Sequence, residues 1–538
     1  MPTPRKITPG GWSIRWDEAR AAEAYAAGWW SRETLGEALR DTAQRDPGRI
    51  LLVDGDTRLT AAGWLDQAER IGRGLAAQIP PGGVVSVMLP NWHEAAVIYL
   101  AATFAGLVVN PILPSLRDHD LHFILADART RLIVIPQRFR GHDYAAMLAR
   151  VCAGLETPPE VVVVRGDPAA GQTAWAELLH RVPAATLPPP DPDAVRMVMY
   201  TSGTTGRPKG VLHTHNSIGA LIRQIGRDWL VTPGDRFLVP SPVSHIGGSI
   251  YAFEMPVLLG TTAVLMDAWD PAVAVATMLR ERVTHMAGAT PFLQGLLDAA
   301  RTAGTRLDHL KVFICGGASV PPPLIREAAD WFARARVSRV YGSTEVPVTT
   351  VGALGADDLA VAADTDGRPG IAEVVIAEAG EIRARGPQML VGYARAADED
   401  GAFDDAGFFR TGDQGEWRAG GGLVVTGRIK DLIIRNGENI APKEIEDLLG
   451  DHPGITEVAV VGVPHPRTGE RAVAVIVPRG QARPDVASLD AHLAARGVAR
   501  FKVPEEVALW DSLPRNDAGK VLKTVIRDRL RANAAPGG

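Results

Sequence analysis

Short runs of β-branched and apolar residues alternate along this chain with longer Ala/Leu-rich segments, and that alternation constrains the fold more than any single residue does. Residues 84–89 form a strand candidate, and an apolar run over 95–109 follows it. Residues 132–135, 161–164, 265–266, 312–314 and 337–340 repeat the short pattern. Strand, helix, strand spacing implies right-handed crossovers and sheets covered on both faces, which is an α/β class. A chain of 538 residues is too long for one hydrophobic core, so several core-sized units are expected. Apolar residues make up 46% of the chain, enough to fill them.

The texture changes along the chain. Between 165 and 193 it is rich in Pro, Ala and Gly, and Pro188, Pro189 and Pro190 form a stiff connector. A new apolar strand starts at 195 and ends at Tyr200. Beyond 372, strand candidates 374–377 and 381–384 are separated by Glu378, Ala379 and Gly380, which is hairpin grammar. Another strand pair flanks 419–422. A fresh α/β pattern begins near 428. Pro442 opens its first helix with acidic residues in the first turn, and strands follow at 458–463 and 472–477.

Several function classes are disfavoured. The net charge of −5 comes with no Lys/Arg run, so neither a nucleic-acid surface nor an anionic membrane patch is expected. The run 95–109 spans about fifteen residues where a membrane span needs roughly twenty, and it reads as one buried core helix. Arg5 and Lys6 are not followed by an apolar stretch, which argues against a signal peptide. Cys152 and Cys315 are the only cysteines, so no disulfide framework organises the chain, and reduced thiols in a cytoplasm are expected.

The strand ending at Tyr200 runs into Thr201-Ser202-Gly203-Thr204-Thr205-Gly206-Arg207-Pro208-Lys209-Gly210. Such a loop can offer backbone N–H groups, hydroxyls and a mobile ammonium to polyphosphate oxygens. Its spacing is not that of the G-x-x-x-x-G-K-[ST] loop. On composition alone a flexible polar loop is an equal alternative. The literal string, however, resembles the phosphate loop of the adenylate-forming superfamily, which includes acyl-CoA synthetases, luciferases and peptide-synthetase adenylation domains. Four further motifs stand in the order that family has: Tyr341-Gly342-Ser343-Thr344-Glu345, Thr411-Gly412-Asp413, Gly427-Arg428-Ile429-Lys430-Asp431, and Leu513-Pro514-Arg515-Asn516-Asp517-Ala518-Gly519-Lys520. Together they cover about residues 30 to 525.

The resemblance implies an architecture and a set of roles. The fold would be a large N-terminal domain over 1–427, built of doubly wound α/β subdomains plus a small β-barrel-like subdomain. A hinge at 428–431 and a small mobile α+β domain over 432–538 would follow. Ser202, Thr204, Thr205 and Lys209 would contact the ATP phosphates within a loop completed by Thr201, Gly203 and Gly206. Gly316, Gly317 and Ala318 would flank adenine. Tyr341 would stack on adenine, with Gly342, Ser343 and Thr344 beside it, and Glu345 would ligate Mg²⁺, a hard cation suited to carboxylate and phosphate oxygens. Asp413 would accept from the ribose hydroxyls, with Arg428 nearby. Lys520 would stabilise the joining of two anions, carboxylate and α-phosphate. Rotation about Lys430 would then swing Lys520 out and bring Arg435, Asn436, Gly437 and Glu438 in to line a coenzyme A tunnel. Many relatives have Gly-Gly where Asn436-Gly437 stands, which puts the tunnel width in doubt.

The implied activity is ATP-dependent ligation of a carboxylic acid to coenzyme A through an acyl-adenylate. Transfer to a carrier-protein thiol or an amine, and a catalytically silent nucleotide-binding homologue, remain alternatives. A homodimer is compatible with the resemblance; nucleic acid is not a partner in it. Among catalytic residues the resemblance also counts Thr205 and His245, the latter as gate of the acyl pocket. That pocket would draw on His245, Ile246, Gly247, Ser249, Gly288, Ala289 and Val346. It holds no Arg or Lys, which disfavours a second carboxylate on the substrate. Relatives specific for 2-hydroxybenzoates place Asn where Ile246 stands. The N-terminal Tyr25, Gly28, Trp29, Trp30, Thr34 and Leu35 resemble the dihydroxybenzoate-AMP-ligase-like branch and its cyclohexanecarboxylate-type cousins. A compact apolar acid, alicyclic, aromatic or short to medium acyl, is therefore expected. His213 and His215 are paired only by spacing and are expected to be structural. Thr214 and Asn216 are expected to cap the following helix.

Overall fold

The computed structural model describes residues 4–534, apart from 182–185, 202–206, 319, 333, 436–437, 466, 497 and 518. Two large sheets carry the N-terminal domain. The first has eight strands in the spatial order Thr173–Ala174, Glu160–Val164, Thr130–Pro136, Val84–Val87, Val108–Pro111, Val195–Thr201, Lys209–Thr214, Gly392–Tyr393. It is parallel through Val195–Thr201 and antiparallel beyond. The second has seven, in the order Arg336–Val340, Val312–Gly316, His285–Gly288, Arg236–Val239, Thr262–Leu265, Ile50–Asp54, Thr57–Thr60, and all but the last pair are parallel.

One hydrophobic core joins the two sheets. Val85 and Val87 of the first, and Leu52, Phe237, Val239 and Ala263 of the second, pack on Leu39, Trp64 and the helix His93–Phe104. That helix is buried on every side, as expected of a helix between two sheets. The outer faces are covered separately, the first sheet by Asp118–Asp127 and Tyr144–Ala153, the second by Pro271–Glu281, Thr290–Thr302 and Pro322–Trp331. The apolar run 95–109 is not one helix. The helix stops at Phe104, Gly106 turns the chain at φ +66°, and Val108–Pro111 is a central strand. Helix and strand are both fully buried here, so periodicity could not separate them.

The small β subdomain is a four-stranded antiparallel sheet in the order Glu373–Ile376, Glu381–Arg385, Phe409–Trp417, Leu423–Arg428. The small C-terminal domain has a five-stranded sheet whose long hairpin, Ile455–His465 and Gly469–Pro478, forms its spine. Pro442–Leu449 and Val486–Ala494 cover one face, and Lys523–Ala534 packs with the other through Ile526. No helix among the described residues is long and apolar enough to cross a membrane.

Candidate active site

The glycine-rich loop is carried by a hairpin in which Thr201 pairs with Lys209. Ser202, Gly203, Thr204, Thr205 and Gly206 lie outside the described residues. At the hairpin's end the cations converge on Asp398, which is buried. Arg207 Nη2 donates to Asp398 Oδ1 at 2.7 Å, and Lys209 Nζ donates to the Asp398 carbonyl at 3.4 Å. Lys209 also lies 5.4 Å from the centre of the Tyr393 ring, and the Tyr393 hydroxyl donates to Glu345 at 3.1 Å. Loop and carboxylate, about 140 positions apart in sequence, thus share one corner. No Lys, Arg or His pairs with the Glu345 carboxylate among the described residues. A hard carboxylate without a competing cation beside the glycine-rich loop fits Mg²⁺. His213 holds this corner, its Nε2 donating to the Thr344 carbonyl at 2.8 Å. Burial pushes His213 down to about 4, so the ring is neutral. Thr214 caps the next helix as expected, whereas Asn216 bonds Tyr25 and Asp193.

Tyr341, Asp413 and Arg428 form a second array. The Tyr341 hydroxyl donates to Asp413 Oδ2 at 2.7 Å, and Arg428 Nε donates to Oδ1 at 2.8 Å. Burial, with the Asp413 charge behind it, pushes the Tyr341 phenol well above its ordinary range. A carboxylate offers about four acceptor directions, so two remain for a vicinal diol. Gly342 lies where a Cβ would sit 2.6 Å from the Val348 nitrogen. Val312–Gly316 delivers Gly316 and Gly317 to the same edge. A Cβ on Gly316 would lie 2.7 Å from the Val340 oxygen, while Gly317, at φ +80°, faces open space. Ala318 follows it, partly exposed at the same turn.

Lys520 reaches this array from the C-terminal domain. Its ammonium is crowded by protein, which lowers its pKa, and nearby Arg428 lowers it further against Asp413 and Asp431. Its loop is stiffened from within: Asn516 Oδ1 accepts from the Lys520 backbone N–H at 2.8 Å, and Arg515 donates to the Gly519 carbonyl at 2.6 Å. Gly519 packs on the large domain, its Cβ direction 3.3 Å from Pro291 and 3.4 Å from Ala289. Arg435, by contrast, is bonded inside its own domain, to Phe501 and Glu505. Glu438 pairs with Arg435 in a strand register, and Asn436 and Gly437 lie outside the described residues. Lys430 lies on the short 3-10 turn Ile429–Asp431, whose Asp431 is tied to Arg527 at 2.9 Å.

The acyl-pocket residues divide. His245 stands at the N-terminal cap position of Ile246–Ser249 without a side-chain capping bond, and Ile246 and Gly247 are partly exposed beside it. The His245 Nε2 is buried without a partner, and burial lowers its pKa while Asp517 opposes that. Three expected members sit elsewhere. Ser249 is fully buried beside the Tyr99 hydroxyl without a well-formed hydrogen bond. A Cβ on Gly288 would point at Phe292, 2.7 Å away, on the outer face of the sheet. Val346 is buried with Tyr393, Leu390 and Phe409 under the small β sheet. Ser249 and Val346 are turned into the core by packing, and Gly288, at the end of its strand, offers backbone alone. Asp398, Tyr393 and Asn516 were not anticipated. The only signal for Asp398 was an acid-rich stretch, Asp398-Glu399-Asp400, opposite a basic loop.

Comparison with known proteins fits this geometry. The AMP-binding enzyme family matches residues 39–394, and the AMP-binding enzyme C-terminal domain matches residues 444–520. The medium-chain fatty-acid–CoA ligase of Escherichia coli K12 is 31% identical over 96% of this chain and 94% of its own. The sulfoacetate–CoA ligase of Cupriavidus necator is 34% identical over 90% of this chain and 95% of its own. The crystal structure of ATP-bound MatB from Rhodopseudomonas palustris superposes with a TM-score of 0.80 at 27% identity, over 93% of this chain and 99% of that one.

Proposed function

The chain belongs to the AMP-binding enzyme family, and from that premise we propose that it activates a compact carboxylic acid with ATP and passes the acyl group to the thiol of coenzyme A. The supporting observation is the seating of the Lys520 loop on Ala289 and Pro291 beside Arg428 and Asp413. In the first half-reaction a carboxylate oxygen attacks the α-phosphorus, the bond to the bridging oxygen breaks, and pyrophosphate leaves. Lys520 stabilises the charge shared by the two joining anions. Asp413 and Arg428 fix the ribose, Tyr341 packs on adenine, and the loop from Thr201 to Lys209 holds the outer phosphates, so the reactants are held in line. Glu345 would hold Mg²⁺, which when bound screens phosphate charge. In the second half-reaction a thiolate attacks the acyl carbon and AMP leaves. For that step the domain over 432–538 turns about 428–431, withdrawing Lys520 and presenting the segment from Arg435 to Glu438.

The test is a pyrophosphate-exchange and hydroxamate screen over carboxylic acids, with and without coenzyme A. With an acid that responds, Lys520→Ala should cut exchange by about 10²–10³-fold yet largely spare thioester formation from a supplied acyl-adenylate. Equal loss of both steps would sink the role given to Lys520, and no exchange with any acid would sink the activity.

A further inference from the structure

Tyr251 is a polar group the fold leaves unsatisfied. The residue is 7% exposed, and no hydrogen bond to its hydroxyl exists among the described residues. Burial pushes its pKa above the ordinary tyrosine range, so the hydroxyl keeps its proton and can donate. Unlike the Ser249 hydroxyl, it is not sealed in the core, so it borders accessible space into which it can donate.

Its surroundings show what the hydroxyl faces. Gly247, one helical turn earlier, is partly exposed, and the atoms nearest its Cβ direction all belong to Tyr251: the ring edge at 3.5 Å and the hydroxyl oxygen at 3.9 Å. Behind it the Tyr251 ring stacks on Phe237 at 6.0 Å and leans on Trp229 at 6.0 Å. Phe237 is in register with His285 and stacks on it. From His285 the same face of the strand continues to Ala287, because alternate residues share a face. Ala289 is where the Lys520 loop makes contact. The link from that loop to the aromatic floor runs through His245, which lies two residues before Gly247 and feels the charge of Asp517 in the same loop.

We infer that Tyr251 ends the acyl pocket and selects an acid that carries an uncharged oxygen, as a ketone, ether or hydroxyl, at the end remote from its carboxylate. The aromatic floor takes the carbon skeleton, and the Tyr251 hydroxyl donates to that oxygen. A second carboxylate would still lack a cationic partner. This rests on the proposed acid activation and adds to it the polar group the acid bears.

The experiment compares matched acids in acid-dependent pyrophosphate exchange: cyclohexanecarboxylate against 4-oxocyclohexanecarboxylate, and 3-cyclohexylpropanoate against 3-(4-oxocyclohexyl)propanoate. At one of the two lengths the wild-type chain should prefer the keto acid in kcat/KM, and Tyr251→Phe should lower the keto-to-carbocycle ratio at least tenfold. Tyr251→Phe should also melt, without acid, no lower than the wild type, since it removes a group with no partner. A ratio that moves less than threefold at both lengths, or a lower melting temperature, overturns the inference. Absence of exchange with every acid, keto or not, removes the activation reading itself and this inference with it.

Discussion

At the scale of single residues, two histidines packed around the charged groups of the site are kept neutral by burial. His213 supports the Thr344 carbonyl next to Glu345, and His285 lies under the aromatic floor; both are pushed down to about 4 by burial. A histidine whose native pKa is depressed binds its proton later than the unfolded chain does. Its contribution to stability is complete above the ordinary value near 6.5 and is lost as pH falls from there toward 4. Each such group is worth about 3 kcal/mol across that window, taking ~1.4 kcal/mol per unit. His285→Gln, which cannot charge, should therefore reduce the slope of unfolding free energy against pH between 6.5 and 4.5 by up to ~1.4 kcal/mol per pH unit. Urea unfolding at several pH values measures it, and an unchanged slope would refute the assignment to His285.

At the scale of elements, the strand that leads into the glycine-rich loop is tied to the helical segment Ile250–Glu254. Arg196 on Val195–Thr201 donates to Glu254 at 2.7 Å and to the Tyr99 hydroxyl at 2.9 Å, and Tyr99 donates to Glu254 at 2.5 Å. Both charged side chains are essentially inaccessible, at 2% and 1% exposure. Removing one partner of such a pair leaves a bare buried charge, at a cost of about 3–5 kcal/mol, whereas replacing both with apolar groups can be near neutral. Glu254→Ala should thus destabilise the chain by that order, and Arg196→Met with Glu254→Leu should recover most of it; chemical unfolding of the three variants decides. The Asp54, His93 and Glu94 cluster, which has the ligand types for a metal, is a tie of the same kind, since Arg165 already pairs with both carboxylates.

At the scale of the whole molecule, the arrangement is one of two that the proposed reaction needs. Lys430→Pro, on the turn between the domains, should leave pyrophosphate exchange near the wild-type level and block thioester formation; unchanged thioester output would remove the hinge from the account. How far the molecule was legible in the sequence follows from what each signal encodes. Strands such as Glu160–Val164 and Val312–Gly316 announced themselves as isolated apolar runs, and the hairpin at Glu378 to Gly380 by its turn residues. Arg236–Val239 and His285–Gly288, central strands of the second sheet, did not, because four residues containing Arg, His or Gly carry no period. In the site, the literal motifs marked Tyr341, Asp413 and Lys520, which the fold brings together. Where the residues expected around the acyl group would face was less legible: Val346 packs under the small β sheet and Gly288 against Phe292, and facing depends on register and packing that no local string records.

Asp398 gives the nucleotide corner an unusual starting condition. Arg207 and Lys209 already rest on a carboxylate from the chain itself before any ligand arrives. An incoming triphosphate would therefore enter by exchange, displacing a resident anion, and not by filling an empty cradle. Exchange sets a threshold: a singly or doubly charged anion such as sulfate gains little over the carboxylate it replaces, while a polyphosphate gains much. On the proposed reading, Asp398 would be the reference against which each incoming anion is weighed.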